Sequence, residues 1–155
     1  MTSHLPLVGE GVVAGGIRWE LRAGGTEAEF ATLVSAWDDR GPLGERGMAG
    51  PLLQPGHLVS LYTGGGDRGP RYVVARTDSS VCTLELEHDR RRKSDLPLFP
   101  VAALEGVKFG VAFIDRDTPT RAAVAIDAGG RVVDRLDLTG HQRAWDRFRL
   151  IAGRS

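Results

Sequence analysis

Four consecutive cations, Arg90, Arg91, Arg92 and Lys93, are the densest run of charge in this sequence. Guanidinium groups grip phosphates and carboxylates through paired hydrogen bonds, so such a run at a hairpin tip is a candidate anion or partner contact. Asp89 and Asp95 flank it. It lacks the interleaved aromatics of a single-strand nucleic-acid binder. The simpler reading is a solvated tip that guards strand edges. A second candidate lies near the end of the chain. Trp145, Phe148 and Arg149 sit among His141, Arg143 and Arg147, and a basic aromatic tail of this kind can dock on a partner or fold back on its own domain.

Carboxylates and imidazoles form a looser pool. Asp115 and Asp117 are spaced so that both could face a calcium ion. Arg116 stands between them, and aspartate is also a common turn residue because it hydrogen-bonds its own backbone. His4, His57, His88 and His141 are scattered. None has metal-ligand spacing, so the expected cofactor and metal content is none. His57, Asp115, Asp117 and His141 are the pool from which a site assembled from distant residues would draw. No serine lies in G-x-S-x-G. Cys82 alternates with Leu84 and Leu86, which predicts a small core residue rather than a nucleophile. Gly64-Gly65-Gly66-Asp67-Arg68-Gly69 matches G-x-G-x-x-G, but Pro70 and a strand follow where a phosphate site needs a helix N-terminus.

The elements that must position these residues read as strands. Short apolar runs are punctuated by Gly24-Gly25, Gly41-Pro42, Pro55-Gly56, Asp78-Ser79 and Gly129-Gly130, the rhythm of an all-β sandwich or barrel. Residues 12–22 read as a hairpin about Gly15-Gly16, with Ile17, Trp19 and Leu21 on its apolar face. Residues 27–37 fit either a helix or a strand, and the β neighbours favour the strand. Residues 38–56, rich in Gly and Pro, read as a long connection, covering flap or binding loop. Further strands are expected near 57–63, 71–77, 80–87, 97–104, 107–114, 120–127 and 131–137. The segment Lys108–Ile114 is apolar on both faces, so it should be central in its sheet or lie in an interface. Residues 140–152 could form a short terminal helix. Trp19 and Trp37 read as core or cover.

At 155 residues, 41% hydrophobic and 26% charged, the chain suits one globular domain. We divide it into an arm at 1–10, a β-sandwich domain at 11–138 and a tail at 139–155. Zero net charge argues for neither nucleic acid nor membrane as partner. One cysteine rules out an internal disulfide. The sequence shows no signal peptide and no apolar run long enough for a membrane helix, so a cytoplasmic location is expected. Lys93 and Lys108 are the only lysines and asparagine is absent, a bias typical of GC-rich coding.

Tyr72-Val73-Val74-Ala75-Arg76-Thr77-Asp78 and Ala125-Ile126-Asp127-Ala128-Gly129-Gly130-Arg131-Val132-Val133 resemble small uncharacterised actinobacterial β-sandwich proteins. The resemblance implies a β-sandwich and supplies no site. The expected fold is therefore an all-β, two-sheet antiparallel sandwich of immunoglobulin-like character. The expected function is a non-enzymatic binding or protein-interaction module, monomeric or weakly homodimeric. The alternatives are a small enzyme or metal-dependent protein using the distant pool, and an anion-binding module acting through residues 90–93.

Overall fold

The computed structural model describes residues 5–53, 55–64, 69–88, 92–115 and 119–138. They form twelve strands: β1 (Leu7–Val13), β2 (Ile17–Gly25), β3 (Phe30–Asp38), β4 (Gly41–Gly50), β5 (Val59–Gly64), β6 (Arg71–Asp78), β7 (Val81–His88), β8 (Lys93–Leu96), β9 (Phe99–Val101), β10 (Leu104–Ile114), β11 (Thr120–Asp127) and β12 (Val132–Asp137). The all-β, antiparallel expectation holds. Two sheets were expected, and there are three of four strands each: sheet A (β1-β2-β3-β4), sheet B (β5-β6-β10-β9) and sheet C (β12-β11-β7-β8).

The β1–β2 hairpin turns at Gly15 and Gly16, whose φ angles of 85° and 73° are cheap only for glycine. β1 starts at Leu7, inside the stretch read as an arm. Residues 30–38 are a strand, as their neighbours suggested. The supposed long connection is instead largely β4, paired with β3 from Asp38↔Gly41 to Phe30↔Gly50. Glycine and proline point away from a strand by propensity. At a sheet edge, however, backbone pairing with a good neighbour suffices, and proline is tolerated there.

The core explains why a third sheet exists. One apolar cluster joins Val59, Leu61, Val73 and Ala75 of sheet B to Leu84, Leu86, Ala123 and Ala125 of sheet C. A second joins Tyr72, Val74, Phe109 and Val111 of sheet B to Leu21, Phe30 and Val34 of sheet A. Sheet B is thus buried on both faces, and β6 is buried from Tyr72 through Thr77. Such strands read as continuous apolar runs rather than alternating ones. β10 lies between β6 and β9 with Phe109 fully buried, the central placement its two apolar faces implied.

Two crossings between sheets need special chemistry. From Leu96 in β8 the chain passes to Phe99 in β9 directly over Gly110. A Cβ at Gly110 would lie 1.9 Å from Leu96 Cδ2 and 2.8 Å from Pro97 O, so no side chain fits there. The other crossing leads from β4 to β5. Its start is held by Arg76, a β6 side chain only 1% exposed. The guanidinium donates to Phe30 O at 3.2 Å, Thr32 Oγ1 at 3.1 Å and Pro51 O at 3.2 Å. It also lies 5.3 Å from the centre of the Phe30 ring. Burial lowers the Arg76 pKa, and nearby Tyr62 opposes that shift.

Removing the guanidinium should strand buried acceptors in β3 and in the crossing, and leave a cavity. Arg76→Ala is expected to cost about 3 kcal/mol or more of unfolding free energy. Urea denaturation checks this, and a loss below about 0.5 kcal/mol, ordinary for a surface site, would show that Arg76 does not join sheets A and B.

Candidate functional site

The register of sheet A determines which side chains share its outward face. Val12 pairs with Arg18 and Arg18 with Trp37, while Glu10 pairs with Glu20. Strand alternation therefore presents Glu10, Val12, Arg18, Glu20 and Trp37 together. They line a shallow cleft of about 410 Å3. Trp19 belongs to the opposite face. Its ring packs against Phe99, with centroids 6.5 Å apart, and passes beneath Gly11, where a Cβ would lie 2.8 Å from Nε1. The cleft thus offers one half-buried indole, one guanidinium and two carboxylates. Glu20 also lies 3.4 Å from Arg22. Two carboxylates directly across a strand pair repel. β1 is one of the two edge strands of the sheet, with Leu7 44% and Val12 69% exposed.

A second cleft of about 420 Å3 opens near the ends of β1 and β10, lined by Val13, Ile17, Phe113, Ile114 and Asp115 among others.

The residues named from sequence are dispersed. Arg92 and Lys93 close the β7–β8 hairpin, where the His88 N–H donates to Arg92 O. Lys93 points at Glu85, 3.5 Å away. Arg90 and Arg91 lie outside the described residues, as do Trp145, Phe148 and Arg149 with the expected terminal helix, and Asp117 and His141. Asp127 does turn chemistry: its carboxylate accepts from the Gly129 and Arg131 N–H groups, both at 2.9 Å. Among the described residues no group of three His, Cys, Asp or Glu side chains could hold a metal ion.

Cys82 corrects the sequence expectation. It is exposed, while Val81 is fully buried. Ile126 pairs with Thr83 but Asp127 with Val81, so Cys82 is the extra residue of a β-bulge. One extra residue shifts the alternation and turns the thiol outward.

Two histidines have partners that spacing could not show. His57 Nδ1 lies 3.2 Å from Asp134 Oδ1. The same carboxylate accepts from the Leu58 N–H at 2.7 Å and the Arg135 N–H at 2.8 Å. Burial pulls the Asp134 pKa up, but these donors outweigh it and hold the group below its ordinary range. Asp134 thereby ties the end of the β4–β5 crossing to the edge strand of sheet C. His88 sits between two hydroxyls, with Thr120 Oγ1 3.0 Å from Nδ1 and Ser94 Oγ 2.7 Å from Nε2. Burial, then Arg71 and Arg92, lower its pKa and favour the neutral ring. Neither contact has a local signal, because 77 residues separate His57 from Asp134 and 32 separate His88 from Thr120.

No family model, curated protein or solved structure matches the chain. Among the described residues no helix is long and apolar enough to cross a membrane.

Two expectations follow. A thiol reagent should label Cys82 stoichiometrically in the native protein without denaturant. Labelling only after unfolding would return Cys82 to the core. Asp134 has a depressed folded pKa, so its contribution to stability is present above the unfolded carboxylate pKa, about 3.9, and is lost as pH falls through the folded value. Asp134→Asn should therefore destabilise at pH 7, and the gap to wild type should close in acid. A gap constant with pH in thermal denaturation would contradict this account.

Proposed function

We propose that this protein is a binding module that performs no chemistry at its ligand face, and that this face is the open β1 edge with the adjoining cleft. The observation that carries the reading is the exposure of Leu7 and Val12, 44% and 69%, on an edge strand beside the Trp37 cleft. An open edge offers unpaired backbone N–H and C=O groups, and an extended peptide can add to it as a further strand. Backbone bonds then supply affinity, and alternate side chains of the peptide reach the neighbouring cleft. There an apolar group would rest on the Trp37 indole, and a polar one would meet Arg18 or the Glu10–Glu20 pair. The partner is a polypeptide strand, and a weak homodimer through the same edge is the self-complementary form of this interaction. A cytoplasmic setting and an immunoglobulin-like sandwich arrangement accord with such a module.

Within the described residues the distant pool supports a small enzyme less well. His57 is engaged by Asp134, while Asp115 lines the other cleft, so these two do not converge. The anion-binding reading is weakened because Lys93 faces Glu85.

A displayed library of random peptides should yield extended binders that quench tryptophan emission, with the quench absent in Trp37→Phe. Val12→Lys places a charge on the edge and should weaken those binders at least tenfold. The reading fails if no peptide is enriched, or if selected peptides bind Val12→Lys as well as wild type.

A further inference from the structure

The hydroxyl–imidazole–hydroxyl chain at the end of sheet C is separate from the proposed ligand face. Three adjacent strands supply it. Thr120 of β11 lies directly opposite His88 of β7. Ser94 of β8 lies opposite Leu86, one step along the same face of the ladder. Thr120 is 8% exposed, whereas Ser94 lies open to solvent at the surface. One end of the chain is therefore fixed in the protein and the other is free to meet a reagent.

A neutral imidazole has one N–H and one lone pair. Both contacts, 3.0 Å to Thr120 and 2.7 Å to Ser94, are of hydrogen-bond length, and the tautomer sets which ring nitrogen donates. With the proton on Nδ1, the ring donates to Thr120 and its Nε2 lone pair accepts the Ser94 O–H. That is the arrangement of a nucleophile beside a general base oriented by a third group.

The geometry points to Ser94 as an activated hydroxyl that takes up an acyl group from an activated carboxylic ester, with His88 as its base and Thr120 as the positioning residue. In this step Ser94 Oγ forms a bond to the ester carbonyl carbon. The Oγ proton passes to His88 Nε2. The bond from that carbon to the leaving oxygen breaks, and the proton on Nε2 neutralises the departing alkoxide. The products are acyl-Ser94 and an alcohol, with no oxidant or metal required.

Charged groups near the ring favour its unprotonated form. Arg71 of β6 and Arg92 of the hairpin both disfavour a charge on His88. Of the neighbouring charges on β7 and β8, Glu87 pairs with Arg135 and Lys93 with Glu85, while Asp95 lies opposite Glu85 on the other face of the ladder.

The test uses p-nitrophenyl acetate with the full chain, reading nitrophenolate release and mapping the acetylated peptide by mass spectrometry. Acetyl should accumulate on Ser94 well before exposed Ser79. The rate should level off on the acid side of the ordinary imidazole range. Ser94→Ala should remove the labelled peptide, and His88→Gln, which keeps a hydrogen bond but no base, should slow labelling about 100-fold. Thr120→Val should slow it, with Thr120→Ser restoring it. Acetylation of Ser94 no faster than Ser79 in wild type, or a rate with no step at or on the acid side of the imidazole range, would overturn the proposal even if His88→Gln failed to fold. A folded His88→Gln labelled at the wild-type rate would do the same.

Discussion

A guanidinium buried between two β-sheets is the constraint on which this architecture turns. Placing a cation in an apolar interior is costly unless its hydrogen-bonding capacity is met. Arg76 meets most of that need with neutral partners: two backbone carbonyls, one hydroxyl and the face of Phe30. Those partners come from β3 and from the crossing between β4 and β5. The groups that make burial tolerable are therefore the same ones that hold sheet A against sheet B. Among the described residues the Nε atom has no hydrogen-bond partner, so the arrangement is not fully compensated there. Tyr62 lies in the same layer and donates to Thr32 O at 3.4 Å, and burial pushes its phenol above the ordinary range.

The crossing that Arg76 anchors at Pro51 is anchored again at its far end. Asp134 accepts from the Leu58 N–H and approaches the His57 ring. One short segment thus links all three sheets, through Arg76 on one side and Asp134 on the other. The passage from β8 to β9 achieves its link differently, by close approach over Gly110. Polar anchoring in one case and a missing side chain in the other serve the same end, since sheet B must be covered on both faces.

Surface chemistry follows from this stacking. Sheets A and C have outward faces, where the cleft and the ion pairs of Glu85 and Glu87 lie. The His88 chain stands at one end of sheet C, near Arg71 of sheet B. That position lowers the His88 pKa, because partial burial and then two guanidiniums disfavour a further positive charge.

The sequence by itself determined the class of structure. Alternation in Ile17, Trp19 and Leu21, the glycine pair at 15–16 and the two apolar faces of Lys108–Ile114 were legible because strand periodicity and turn chemistry are local properties. Local signals also misled where pairing or packing decided. β4 reads as a loop until β3 is beside it. Cys82 reads as core until one bulge residue shifts its register. Two sheets became three because both faces of β6 are covered, one by sheet A and one by sheet C, and its continuous apolar run does not say what covers them. The contacts most relevant to function, Glu10 across from Glu20, Arg18 across from Trp37, and His88 between Thr120 and Ser94, are matters of register. Register is set by the pairing of one strand with its neighbours, so only the tertiary structure could assign them.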